Sequence, residues 1–148
     1  MSLKQRIDAD VKAAMLAGDR ERADVLRGLK SAILYEEVAR NQRTEGLNDE
    51  AIEKVIAREA KKRDEAAGLY EKGGSTASAD KERAEKAIVS EYLPKQISDI
   101  ELDAVVKDAV EEAGGDTHAG KIIGAVKQKV GNQADGARVA SAVQKALT

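Results

Sequence analysis

Along its 148 residues this sequence gives seven helix start signals, with breaks between the helices. Nowhere between them do apolar and polar residues alternate in the twos of a half-buried strand. That pattern confines the chain to an all-α fold. Ser2 with Gln5 three residues on forms a capping box, and Leu3, Ile7, Val11, Ala14 and Met15 make one apolar stripe ending at Gly18. Asp19 caps a second helix with Leu26, Leu29 and Ile33 inward, which fades in the polar stretch Asn41–Gly46. Asn48 caps a third, with Leu47 and Ile52 as a hydrophobic staple, and Ile52, Val55, Ile56, Arg63, Ala67 and Tyr70 inward as far as Gly73–Gly74.

The segment Gly73–Ser78 reads as a flexible loop, followed from near Asp80 by a fourth helix with Ala84, Ala87, Ile88 and Tyr92 inward. Pro94, the only proline, ends it, because a residue before proline is pushed out of the helical region. Ser98 and Glu101 form a second capping box, stapled by Ile97 and Leu102. The fifth helix then carries Leu102, Val105, Val106, Ala109 and Val110 to Gly114–Gly115. A sixth begins near Thr117 and ends about Gly131; a seventh starts at the N-cap Asp135 with Val139, Val143 and Leu147 inward.

Two parts follow from this punctuation: residues 1–95, four helices with long antiparallel members, and residues 96–148, a three-helix bundle. There is no Phe or Trp and only three Tyr, so the core must be built from Ala, Val, Ile and Leu. Side chains that small suit close helix packing and make a poor lining for an aromatic-rich pocket. Cysteine is absent, which excludes disulfides and thiolate chemistry. The start MSLKQRID has no hydrophobic signal region, and no apolar run reaches membrane-spanning length. A cytoplasmic location and no membrane partner are expected.

Catalysis has no visible seat. The single histidine, His118, stands in a turn beside Gly, Asp and Thr. Glu36 and Glu37 are adjacent and point to different helix faces. No Glu-x-x-His pair, phosphate-cradling Gly-rich loop or nucleophile elbow appears. The expectation is no catalytic residue, no metal and no cofactor.

Charge is distributed unevenly. Residues 1–95 are balanced, residues 96–118 carry a net −6, and residues 119–148 a net +4. The last two segments either complement each other within one bundle or leave a basic surface for a partner. On the third helix Arg58, Lys61, Lys62 and Arg63 alternate with acids and read as a solvated face. In the sixth, at about 100° per residue, Gly120, Gly124 and Gly131 fall on one side with Lys127, and Lys121 and Gln128 lie beyond. Glycine costs about 1 kcal/mol against alanine inside a helix. Either another backbone approaches closely at Gly120 and Gly124, or Gly120 belongs to the first turn, Gly131 to the C-cap, and only Gly124 needs a reason.

Met1-Ser2-Leu3, Glu59-Ala60-Lys61-Lys62-Arg63, Glu91-Tyr92-Leu93-Pro94-Lys95-Gln96, Gly120-Lys121-Ile122-Ile123-Gly124 and Ala134-Asp135-Gly136 stand in the order of the landmarks of the YqeY-like proteins, which the chain resembles along its length. The resemblance implies two linked helical subdomains. It also implies kinship with the tail domain of the B subunit of the tRNA-dependent amidotransferase, which amidates Glu-tRNA or Asp-tRNA with glutamine as nitrogen donor. There the tail is associated with the tRNA body and the chemistry lies elsewhere. The chain departs from many relatives at Gly131, Gln133 and Ala137, where they carry basic residues.

The resemblance therefore implies a non-catalytic tRNA-associated binding module, at most an accessory to such a carbon–nitrogen ligase. Lys121, Lys127, Lys129, Arg138 and Lys145 are the expected nucleic-acid-binding residues, touching backbone and shape because aromatic stacking platforms are absent. The alternative is a protein–protein adaptor docking a partner helix on the Gly120/Gly124 face.

Overall fold

The computed structural model describes residues 1–148, and its secondary structure is helical with no strand, as the periodicity requires. The helices are α1 (Leu3–Leu16), α2 (Arg20–Ala39), α3 (Asp49–Lys72), α4 (Thr76–Ser90), α5 (Asp99–Glu112), α6 (Ala119–Val130) and α7 (Gly136–Leu147). A 3-10 turn over Gly131–Gln133 separates the last two. The chain divides into two compact units, Met1–Leu93 with α1–α4 and Pro94–Thr148 with α5–α7. No helix is long and apolar enough to cross a membrane.

Most caps act as their residue types predict. The Ser2 hydroxyl accepts from the Gln5 N–H, and the Gln5 side chain accepts from the Ser2 N–H, closing the capping box. Asp19, Asn48 and Asp135 each accept from the N–H three residues on. At α5 the box closes on one side only: Ser98 accepts from the Glu101 N–H, but its hydroxyl donates to the Glu101 carboxylate.

In the first unit, Ile7, Leu26, Leu29, Ile33, Ile52, Val55, Ile56 and Val89 pack into one core. Within it lies Glu37, whose side chain is 1% exposed and is the only buried charged one. Its carboxylate accepts from the Lys4 ammonium at 2.9 and 3.0 Å and from the Leu47 N–H at 3.0 Å. One group thereby holds α1, α2 and the entry to α3. Gly46 keeps a φ of +77°, and a Cβ there would stand 3.2 Å from the Glu37 carboxylate, so the loop needs glycine for both reasons.

The end of the unit is held by Tyr92. Its ring is buried beneath the Arg6 guanidinium, 4.7 Å from the centroid, and its hydroxyl donates to Asp10. Burial, then that hydrogen bond, raise its pKa far above the ordinary tyrosine value, so it remains a donor. Arg22 and Glu91 close the same corner at 2.6 Å.

Several apolar assignments shift. Met15 and Tyr70 are exposed rather than inward. α4 begins at Thr76, not near Asp80, so the flexible loop shrinks to Gly73–Ser75, closed by the Ser75 N–H on the Tyr70 carbonyl at 2.8 Å. Ala84 and Ala87 face solvent, while Ala79 and Val89 are buried. A helix studded with alanines does not disclose its inner face through hydrophobicity. Ion pairs line the seam between α3 and α4, Arg63 with Glu85, Asp64 with Lys86 and Glu71 with Arg83. Arg63 is accordingly half-buried, unlike its exposed neighbours Lys61 and Lys62.

In the second unit Leu102, Val106, Ala109, Ile122, Val126, Val130, Val139 and Val143 form the core. Gln96 donates to the carbonyls of Pro94 and Asn132, both at 3.1 Å, and the Ile97 N–H donates to Gln133 at 2.8 Å. The segment entering α5 is thus tied to the turn between α6 and α7.

Burial pushes the Glu37 carboxyl up, but Lys4 and the Leu47 N–H outweigh it and its pKa lies below the ordinary value. The stability this contributes is present above the unfolded-state value, about pH 4.3, and is lost as pH falls through the folded one. Glu37→Gln should cost about 1–3 kcal/mol near neutral pH. Urea unfolding of both proteins should show the gap closing below about pH 4; a gap independent of pH would mean the carboxylate is not the stabilising form. Tyr92→Phe should cost about 1 kcal/mol, with Asp10→Asn adding little in the double variant, as a thermodynamic cycle would show.

Candidate nucleic-acid interface

α6 presents two opposite sides. Ile122, Val126 and Val130 bury one against α5 and α7, while Gly120, Gly124, Lys121, Lys127 and Gln128 lie in solvent. Its entry is organised by Asp116, a residue the sequence reading counted only as charge. The Asp116 carboxylate accepts from the His118 N–H at 3.0 Å and from the Lys121 ammonium at 3.2 Å. These two donors, the backbone one first, hold its pKa below the ordinary value. The signal was available as an Asx turn, Asp116-Thr117-His118, ahead of a helix. His118 is the N-cap with its side chain 84% exposed, its Nδ1 3.3 Å from Asp116, and it makes no side-chain cap.

The five basic residues singled out from the sequence are not equivalent. Lys129 turns toward α5 and meets Glu112 at 3.1 Å. Arg138 reaches the start of α5, donating to Asp99 and to the Ile97 carbonyl, each at 2.8 Å. Lys121 is held by Asp116. Lys127 and Lys145 make no ion pair; Lys127 lies over the first turn of α7, where a Cβ on Gly136 would stand 3.4 Å from its ammonium. Lys145 sits alone in the last turn of α7, where a cation suits the helix dipole. Lys121 and Lys127 thus flank the Gly120/Gly124 side of α6, one turned to Asp116 and the other to the first turn of α7, and the other three point elsewhere.

The glycines also separate. A Cβ on Gly120 or Gly124 would meet nothing within 4 Å, so no element of this chain approaches there. Gly131 has a different reason, a backbone at φ +55°, ψ −131° as the C-cap of α6. That conformation is strained for any L residue with a side chain. A lysine at 131 would therefore require the turn to be rebuilt. Gln133 and Ala137 are exposed and carry no such constraint.

No group of three His, Asp or Glu side chains is placed to hold a metal ion. A family model described as Yqey-like protein matches residues 4–147. No curated protein matches the chain.

Gly124→Ala should raise stability by up to about 1 kcal/mol, because helix propensity improves and the space is open. Gly131→Ala should lower it by about 1–3 kcal/mol through backbone strain. Thermal denaturation of the two variants checks the contrast; a loss at Gly124 would reveal an intramolecular contact at that face.

Proposed function

The chain belongs to the YqeY-like family, and from that premise we propose that it is a non-catalytic binding module for tRNA, contacting backbone and shape through the outer side of α6. The observation that carries the reading is the open glycine pair: Gly120 and Gly124 leave the α6 backbone uncovered beside Lys121 and Lys127. Nothing inside the chain needs a glycine at 124, and helix stability argues against one. A sugar–phosphate chain lying there would meet two lysines at its edge. Lys129 is the next cation along the helix; its pair with Glu112 is exposed, so releasing it to a phosphate costs little. Bases need not be read, because the side chains at this face include no stacking ring and phosphate contacts alone position a module on RNA.

The acidic residues of α5 oppose RNA on the side away from this face, which would orient the nucleic acid toward α6. Few phosphates are neutralised, so affinity should be low and salt-dependent. The same open backbone suits a partner helix, and that adaptor reading differs in one measurable respect: it does not require the lysines.

Titration of folded tRNA at two salt concentrations separates the two. Lys121, Lys127 and Lys129 reversed together to Glu should abolish binding, and Lys127→Glu alone, which breaks no ion pair, should weaken it. Reversal of Lys61 and Lys62 should matter less. Gln133→Lys with Ala137→Lys should tighten binding. The log–log salt slope should be about −2 to −3 if the three lysines each meet a phosphate. Equal binding by wild type and the triple reversal would remove tRNA from the account and leave the adaptor.

A further inference from the structure

A groove of about 470 Å³ lies between α1 and α2 in the first unit. That volume lies within the range of small-molecule sites. Buried Ile7 and Ile33 floor it, and Leu34, still 44% exposed, forms a wall. Around the mouth stand Lys4, Arg27 and Lys30. The Lys4 ammonium is committed to Glu37, and Lys30 meets Asp8 at 2.8 Å.

Arg27 is different. Its nearest carboxylate, Asp24, is 3.7 Å away, beyond hydrogen-bond range, and one of its N–H groups points at the Met15 sulfur at 3.1 Å. A thioether is a weak acceptor, whereas a guanidinium fork matches a carboxylate with two parallel hydrogen bonds. The group best suited to receive an anion therefore stands at the end of an apolar groove, with its one carboxylate partner, Asp24, outside hydrogen-bond range.

We propose that this groove binds a small amphipathic monoanion, an apolar body carrying one carboxylate. The carboxylate pairs with Arg27, with Lys30 beside it, while the hydrocarbon covers Leu34 and Ile7. The single charge follows from the surroundings: Asp8, Asp24 and Glu37 offset the three cations, so a polyanion such as a nucleoside triphosphate meets carboxylates as well as cations. The site lies within the first unit and stands independently of any tRNA contact at α6.

The chain has no Trp, so Ser31→Trp places a single indole on the groove lining. Sodium decanoate below its micelle concentration should give saturable one-site calorimetric binding to the wild-type protein and shift the indole emission of the variant. Decyltrimethylammonium, with the same tail, should do neither. Arg27→Glu with Lys30→Glu should lower decanoate affinity about tenfold or more, and Leu34→Asp should do the same from the apolar wall. Lys61→Glu with Lys62→Glu, away from the groove, should change nothing, and circular dichroism should show all variants helical. Equal binding of the cationic and anionic tails, no saturable decanoate binding, or indifference to both the charge reversal and Leu34→Asp would each overturn the proposal.

Discussion

A single buried carboxylate organises the first unit. Glu37 lies on the same side of α2 as Leu26, Leu29 and Ile33, at a position where the core would accept leucine. Burying an unpaired charge is costly, so the fold must bring donors to it. Lys4 arrives from α1 and the Leu47 N–H from the entry to α3, and the turn between must pass close enough that Gly46 is required. Three chain segments separated in sequence are therefore fixed by one group. An apolar side chain there would be non-directional and would specify neither the loop path nor the register of α1 on α2.

The segment Tyr92-Leu93-Pro94-Lys95-Gln96 does structural work on both sides of Pro94. Tyr92 belongs to the first unit, where its hydroxyl finds Asp10 and its ring Arg6. Gln96 belongs to the second, where it holds the carbonyl of Asn132 in the turn after α6. The proline between them follows α4, which ends at Ser90. Neither residue was identified from composition as an anchor, because each partner is distant in sequence.

In the second unit the distribution of charge is settled by geometry. The acidic segment and the basic segment do complement each other in part: Asp99, Glu112 and Asp116 hold Arg138, Lys129 and Lys121. These are solvent-facing pairs, which contribute little to stability and exchange readily. What they decide is direction. Lys129 and Arg138 turn toward α5, and only Lys121 and Lys127 remain beside the bare backbone at Gly120 and Gly124. The functional proposal rests on that reduced set rather than on the net charge of the C-terminal third.

The sequence by itself determined what is local. Caps at Ser2, Asp19, Asn48, Ser98 and Asp135, stops at glycine and at Pro94, and apolar stripes in α1, α2, α3 and α5–α7 depend on residues within one or two turns, so they are legible along the chain. The tertiary structure alone decided the inner face of α4, the burial of Glu37, the exposure of Met15 and Tyr70, and the directions of the five C-terminal cations. Alanine is too small to mark a face, and a long charged side chain can reach several partners; which one it meets depends on helices placed by the whole core. The α1–α2 groove and the placement of Arg27 at its end belong to the same class, because both exist only once α1 and α2 pack side by side.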